Sequence, residues 1–343
     1  MTSPSTRRTA LVVIARDEAP RIARLLDSVA PWVDQMLVLD TGSRDDTPAI
    51  ARQRGAQVAH FDWCDDFAVA RNAALVAAAA DWHLVLDADE WLVEGGPALS
   101  ALRQQAPEFV GAVLLEDLGA AAGAARQWLS RMLPGGVRYA GRIHEQPQHR
   151  LPLQRLPLRV AHDGYDAAGL ARKRGRNRPL LRQALATAPG DAYLWFHLGK
   201  DCAAYDEHAG AAAAFARAET LREPGCPWRY ELAARHLYAL KRLGRHAEGL
   251  QFAEPRLGDC ADSPDFHFAL GDLLLDWAAC EPARHLELLP MAQAAWQRCL
   301  EIGERPDQPG SVAGRGSHLA AHNLAVLAQG LASVKETSLC HFA

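Results

Sequence analysis

The sequence predicts two folds in series: an N-terminal α/β unit with Rossmann-like alternation, then an all-α unit of helical repeats. Three observations lead there. Strand-length apolar runs alternate with helical patterns from Thr9 to Leu86. Past Arg172, alanine, leucine and helical periodicity take over. Within that second stretch one sequence pattern returns. The 343 residues suffice for two domains of ordinary size. The expected boundaries are 1–170 for the α/β unit, 171–335 for the helical unit and 336–343 for a tail.

Thr9–Ala15 (TALVVIA) is a continuous apolar run rich in β-branched residues, the pattern of a strand buried on both faces. Behind Pro20, the residues Ile22, Leu25, Leu26 and Val29 recur at helical spacing. Met36–Leu39 is a second buried strand, ending at Asp40, and Thr41–Asp46 is a loop. Thr47-Pro48 reads as a helix cap with proline in the first turn, and Gly55 as that helix's end. Gln57–Phe61 is a third strand and Asp66–Ala80 an alanine-rich helix. His83–Leu86 is a fourth strand, which delivers Asp87, Ala88, Asp89 and Glu90 at its end. Such alternation implies βαβ units and a parallel sheet. From Val110 to His149 the pattern loosens, and mixed strands with long loops are expected.

In the second half, Trp195-x2-Leu198-Gly199, then Ala211-x3-Phe215-x2-Ala218, then Pro224, tracks the tetratricopeptide pattern, with Cys202 where tyrosine is usual. A weaker copy runs through Leu270-Gly271 and Ala292-x3-Trp296-x2-Cys299. Tyr230–Phe252 and His318–Leu331 look like further helices of the same stack. A repeat of this kind buries its apolar face only against neighbours, so a short α-solenoid is expected; a plain helical bundle is the alternative.

The net charge of −4 argues against a broad nucleic-acid surface, and Arg172–Arg178 is the one local basic run. Seven widely spaced cysteines without a CxxC fit reduced thiols better than a disulfide frame. Leu11–Ala15 is too short for a signal core or membrane span, so the cytoplasm is the expected location. Peripheral membrane contact stays open.

Polar residues collect where an open α/β sheet receives its ligands, beyond the C-terminal strand ends. They are Arg16-Asp17-Glu18, Asp40–Asp46 and Asp87–Glu90. Two aspartates at i and i+2 leave a pleat on the same side. Their repulsion calls for a positive partner, and a divalent cation bridging to a diphosphate supplies one. Solvated acids on an exposed turn are the alternative. A dinucleotide fold needs a glycine-rich turn after the first strand, and Ala15-Arg16-Asp17-Glu18 has no glycine.

These motifs in this order resemble a family-2 glycosyltransferase of the GT-A fold, in the bacterial subgroup where tetratricopeptide-like repeats follow. The acidic turn Arg16-Asp17-Glu18 stands where the family more often has Asn-Glu. Asp40–Thr47, Ala70-Arg71-Asn72 and Asp87-Ala88-Asp89-Glu90 follow, then RYAGRIHE (Arg138–Glu145) and His162-Asp163-Gly164-Tyr165. The resemblance implies a nucleotide-sugar donor, UDP-linked above all, and Mn2+ or Mg2+. It implies Asp17, Glu18, Asp40, Arg71, Asn72 and Asp87 as donor-binding residues and Asp89 as direct metal ligand. It further implies Glu145 as the base that deprotonates the acceptor, with His144 sharing that work or completing the metal shell. Alternatively His144 bonds nearby backbone and Glu145 pairs with Arg142 or Arg131. Glu90 and His162 are further candidates for orienting or closing the site.

The implied activity is inverting, metal-dependent sugar transfer to a peptide, a protein or a cell-envelope glycan. The helical half is expected to recruit a polypeptide acceptor, or to dock partners or a second copy. The rival from another class is a non-catalytic scaffold carrying a decayed transferase domain, which the retained Asp40, Arg71, Asp87 and Asp89 speak against. A nucleotidyltransferase would want the glycine-rich phosphate loop that is missing.

Overall fold

The structure, a computed structural model, describes residues 6–117, 125–163 and 175–340. Gly164, Tyr165 and Arg172–Arg174 of the motifs above lie outside them. The chain divides into two compact units, Met1–Pro189 and Gly190–Ala343.

The first unit opens with β1 (Thr9–Ala15), α1 (Ile22–Val29), β2 (Gln35–Asp40), α2 (Thr47–Gln53), β3 (Gln57–His60), α3 (Phe67–Ala78) and β4 (Trp82–Val85). It continues through β5 (Glu90–Glu94), α4 (Gly96–Ala101), β6 (Val110–Asp117), β7 (Ala125–Pro134), β8 (Arg138–Ala140), β9 (Gln146–Gln148), β10 (Leu153–His162) and α5 (Asn177–Thr187). Eight strands form one sheet in the order β3-β2-β1-β4-β7-β6-β10-β5. The first four are parallel, as the alternation requires. β7 then enters antiparallel between β4 and β6, β10 runs parallel to β6, and β5 closes the edge antiparallel to β10.

β1 shows why its run is apolar throughout. Leu11 and Val13 join Ile22, Leu25 and Leu26 on one face of the sheet. Ala10 and Val12 join Ala70, Ala74 and Leu75 on the other. A strand covered on both sides has no polar alternation to show. One local detail differs from the sequence reading. Thr47 opens α2 behind Asp46, with Pro48 in the first turn, and its hydroxyl makes no cap bond. Instead it donates to Asp45 Oδ1 (2.5 Å) and accepts from the Glu18 amide (2.8 Å), tying the turn after β1 to the loop after β2.

The second unit is helical: α6 (Ala192–Ala204), α7 (His208–Leu221), α8 (Arg229–Arg242), α9 (His246–Ala253), α10 (Pro264–Cys280), α11 (His285–Ile302) and α12 (His318–Cys340). The repeat signature becomes a packing device. A methyl group on Gly199 would run into the Phe215 ring, and one on Gly271 would lie 2.6 Å from Trp296 Nε1. Each glycine lets an aromatic of the next helix approach the backbone. The segment between α11 and α12 is pinned to α10, with the Val312 amide (3.2 Å) and the Arg315 guanidinium (2.7 Å) both donating to Asp265 Oδ1. No helix among the described residues is long and apolar enough to cross a membrane.

Candidate active site

α3 starts behind Asp66, whose side chain accepts from the Val69 amide at 3.0 Å and so caps the helix. One face of α3 packs on the sheet through Ala70, Ala74, Leu75 and Ala78, and Arg71 lies on that buried face instead of at the surface. Its Nη2 donates to Asp87 Oδ1 at 2.6 Å and its Nε to Glu145 Oε1. Its Nη1 is buried without a hydrogen-bond partner among the described residues.

β4 ends at Val85, so Asp87 and Asp89 stand on a turn beyond the strand, closed by the Glu90 amide donating to the Asp87 carbonyl at 3.0 Å. The turn breaks the pleat that would have aimed both carboxylates one way. Asp87 turns to Arg71 and to Arg131 Nη2 (2.9 Å), and Arg131 also donates to Glu90 Oε1 at 2.5 Å. Arg131 is on β7, and the antiparallel pairing Leu84↔Met132 brings it level with the end of β4. Asp89 faces His162 instead, with Oδ2 3.3 Å from Nε2. The register His162↔Glu90 between β10 and β5 places that histidine.

Burial works to raise the Asp87 carboxyl, but the guanidinium charges of Arg71 and then Arg131 overcome it and hold Asp87 well below the usual carboxylate range. Glu90 goes the other way. Burial, helped by the Asp87 charge, outweighs Arg131 and pushes it up to about 7. The buried Tyr139 ring lies 5.6 Å from the Arg71 guanidinium carbon, and burial raises its hydroxyl. Even without Glu90, the carboxylates of Asp87, Asp89 and Glu145 outnumber the guanidiniums of Arg71 and Arg131, so the site leans negative.

The remaining candidates fall nearby in the chain but have local duties. Asp40 is buried, and its carboxylate accepts from the Ser43 amide at 3.2 Å, with His60 Nδ1 3.3 Å away. Asp17 adopts φ 56° and accepts from the Arg44 amide at 2.7 Å. Glu18 is held through its amide to Thr47, with Arg21 3.4 Å from its carboxylate. Asn72 gives both ends of its amide to the Tyr139 backbone (2.9 and 2.8 Å), which fixes β8 against α3. His144, at φ 52°, sits half-buried in the bend Gly141–Glu145. Among the described residues, Asp89, His144 and His162 do not converge as a three-ligand group. Arg131 and Tyr139 are the members that sequence reasoning missed as site residues. The available signal was the charged Arg131 inside the apolar run Trp128–Leu133. A cavity of about 530 Å3 beside Ala80, Asp81 and Gly135–Val137 lies at the opposite end of β4 and contains none of these residues.

Residues 10–106 match the model of glycosyl transferase family 2. A TPR repeat-containing protein of Synechococcus elongatus is 40% identical over 211 residues, covering 56% of this chain and 51% of that one. The SPbeta prophage-derived glycosyltransferase SunS of Bacillus subtilis is 28% identical over 201 residues, covering 55% and 48%. The chain thus spans about half the length of the curated relatives it matches. Glucosyl-3-phosphoglycerate synthase of Mycobacterium tuberculosis, solved with Mn2+, UDP and glucosyl-3-phosphoglycerate, overlaps 34% of this chain and 45% of its own. That overlap is at 24% identity and a TM-score of 0.27, too low to align one site on the other. The α/β unit described above therefore matches glycosyl transferase family 2 over residues 10–106, and a helical unit follows it in the chain.

Proposed function

We propose that the N-terminal unit moves a sugar from a nucleotide-diphosphate donor, with uridine as its base, to a hydroxyl or thiol acceptor, with inversion at the anomeric carbon. The Arg71–Asp87–Arg131 cluster beyond the ends of the parallel strands, with Arg71 itself buried, carries the reading. Arg71 Nη1 is a desolvated donor lacking a partner, and an oxygen of the donor substrate would satisfy it. Asp40, Asp17 and Glu18 would line the nucleoside side of the pocket, with Arg71 and Asp87 on the diphosphate and sugar side. Asn72 supports them by holding Tyr139.

Asp89 would hold Mn2+ or Mg2+, with His162 beside it and His144 offered from the Gly141–Glu145 bend. Asp89 with one neighbouring imidazole fits an ion that completes its shell with water and diphosphate oxygens. Bound there, the ion would offset the charge that builds on the leaving diphosphate. Glu145 would take the acceptor proton. Arg71 holds its Oε1 and so fixes the carboxylate's orientation, leaving Oε2 for the acceptor.

The acceptor reading has two forms. In one, the helical unit recruits a polypeptide, since stacked repeats present extended binding faces. In the other it docks partners or a second copy, and the acceptor is a cell-envelope glycan. Retention of a polypeptide by residues from Leu180 onward separates them, and failure to retain any counts against the first. The deciding experiment for the activity is UDP release from UDP-glucose, UDP-N-acetylglucosamine and UDP-galactose, with GDP-mannose as contrast, each with Mn2+ and with chelator. Calorimetry with UDP and Mn2+ runs beside it, and no metal-dependent binding would favour the scaffold reading.

A further inference from the structure

The helical unit carries a second constellation, remote in sequence from the transferase motifs. His246 opens α9, while Asp276 and Cys280 stand one turn apart near the end of α10 and so share a helix face. His246 Nε2 lies 2.7 Å from Asp276 Oδ2, and the imidazole nitrogen, carboxylate oxygen and thiol sulfur all fall within 4.8 Å of one another. The two acceptors on α10 are exposed, but the histidine is not free to wander. It is buried and lies parallel to the Trp277 ring, with centroids 6.0 Å apart and planes at 13°. A cavity of about 290 Å3 opens beside it, with Glu248 and Glu281 on its wall.

We infer that His246, Asp276 and Cys280 form a binding site for a borderline divalent cation of the zinc class. One nitrogen, one oxygen and one sulfur donor select such an ion over Mg2+ or Ca2+, which prefer all-oxygen shells. Three protein donors leave a fourth position for water. The nearby cations do not oppose it. Arg245 is engaged by Glu248 (2.7 and 2.6 Å), and Arg284 by Glu287 (3.0 and 2.6 Å). Binding would displace the thiol proton and exchange the His246–Asp276 bond for two metal bonds, joining α9 to α10. The inference does not rest on the transferase reading.

The test is a Co2+ titration of the full chain under reducing conditions. The expected result is one equivalent of bound Co2+ with a sulfur-to-cobalt charge-transfer band and intense tetrahedral visible bands, both bleached by Zn2+. Cys280→Ser, an exposed change that circular dichroism will show to be folded, should lose the charge-transfer band. His246→Gln should lower the Co2+ affinity at least tenfold. A spectrum without the sulfur band overturns the site, and so does a band that survives in Cys280→Ser. Co2+ held by Asp89 would give only weak bands without sulfur character, which keeps the two sites distinguishable.

Discussion

Glu90 is a buried acid whose ordinary value of 4.5 is pushed up to about 7, and its replacement by glutamine has a calculable consequence. The difference is about 2.5 pK units, worth about 3 kcal/mol at roughly 1.4 kcal/mol per unit. The sign follows from linkage. In the unfolded chain Glu90 ionises near 4.5, while in the fold it keeps its proton until near 7, so the native state binds more protons between these values. Stability therefore falls as pH rises from about 4.5 to about 7, and the full cost remains above that. Glutamine keeps an acceptor for the Asp87 amide, which now donates to Glu90 Oε2 at 2.9 Å, and has no proton to lose. Urea denaturation of both proteins at several pH values between 5 and 8 reads the effect. The stability of Glu90→Gln relative to the native chain should rise by about 2–3 kcal/mol over that range. A difference that stays constant with pH refutes the reasoning, because it would mean that Glu90 ionises alike in both states.

Asp89→Ala should abolish metal-dependent UDP release while the thermal transition stays within a few degrees of native, checked by the donor assay and calorimetry together. Glu145→Gln should keep UDP binding and lose transfer; transfer at the native rate would move the base elsewhere, with Asp117 and Asp163 the next candidates. In the helical unit, burial and nearby guanidiniums lower His236 and His267 from 6.5 to about 4. Their native states exclude the proton, so stability is lost as pH falls from about 6.5 toward 4, and the double change to glutamine should flatten that slope in acid denaturation. Gly271→Ala would press a methyl group onto the Trp296 ring and should cost about 1–3 kcal/mol, measured by denaturant midpoint.

Much of the α/β unit was legible because its signals are local. The double burial of β1, the alanine-rich helix behind Asp66 and the parallel run of β1 to β4 each follow from a few neighbouring residues. The turn Asp87–Glu90 was less so. Its residues were evident as a cluster of acids, but their aim depends on β7 and β10 arriving from much later in the chain. Arg131 and His162 reach Asp87 and Asp89 only through strand pairing. Arg71 was named as a donor-site residue, while its bond to Glu145 depends on an approach across 74 positions of sequence, which no periodicity encodes. In the helical unit the repeat pattern picked out Gly199, Phe215, Gly271 and Trp296 as signature positions, while their pairing across the hairpins comes from the packing. It gave no sign of the His246, Asp276 and Cys280 group, since those positions lie outside the repeat's signature.

The two glycine–aromatic contacts, Gly199 with Phe215 and Gly271 with Trp296, act as spacers of different gauge. Phenylalanine and tryptophan differ in breadth, and each ring limits how closely its own hairpin, α6–α7 or α10–α11, can close. In a stack where each hairpin seats only on its neighbours, such a difference accumulates as a change of pitch. Exchanging the two rings would leave the number of helices unchanged and alter the curvature of any surface they build.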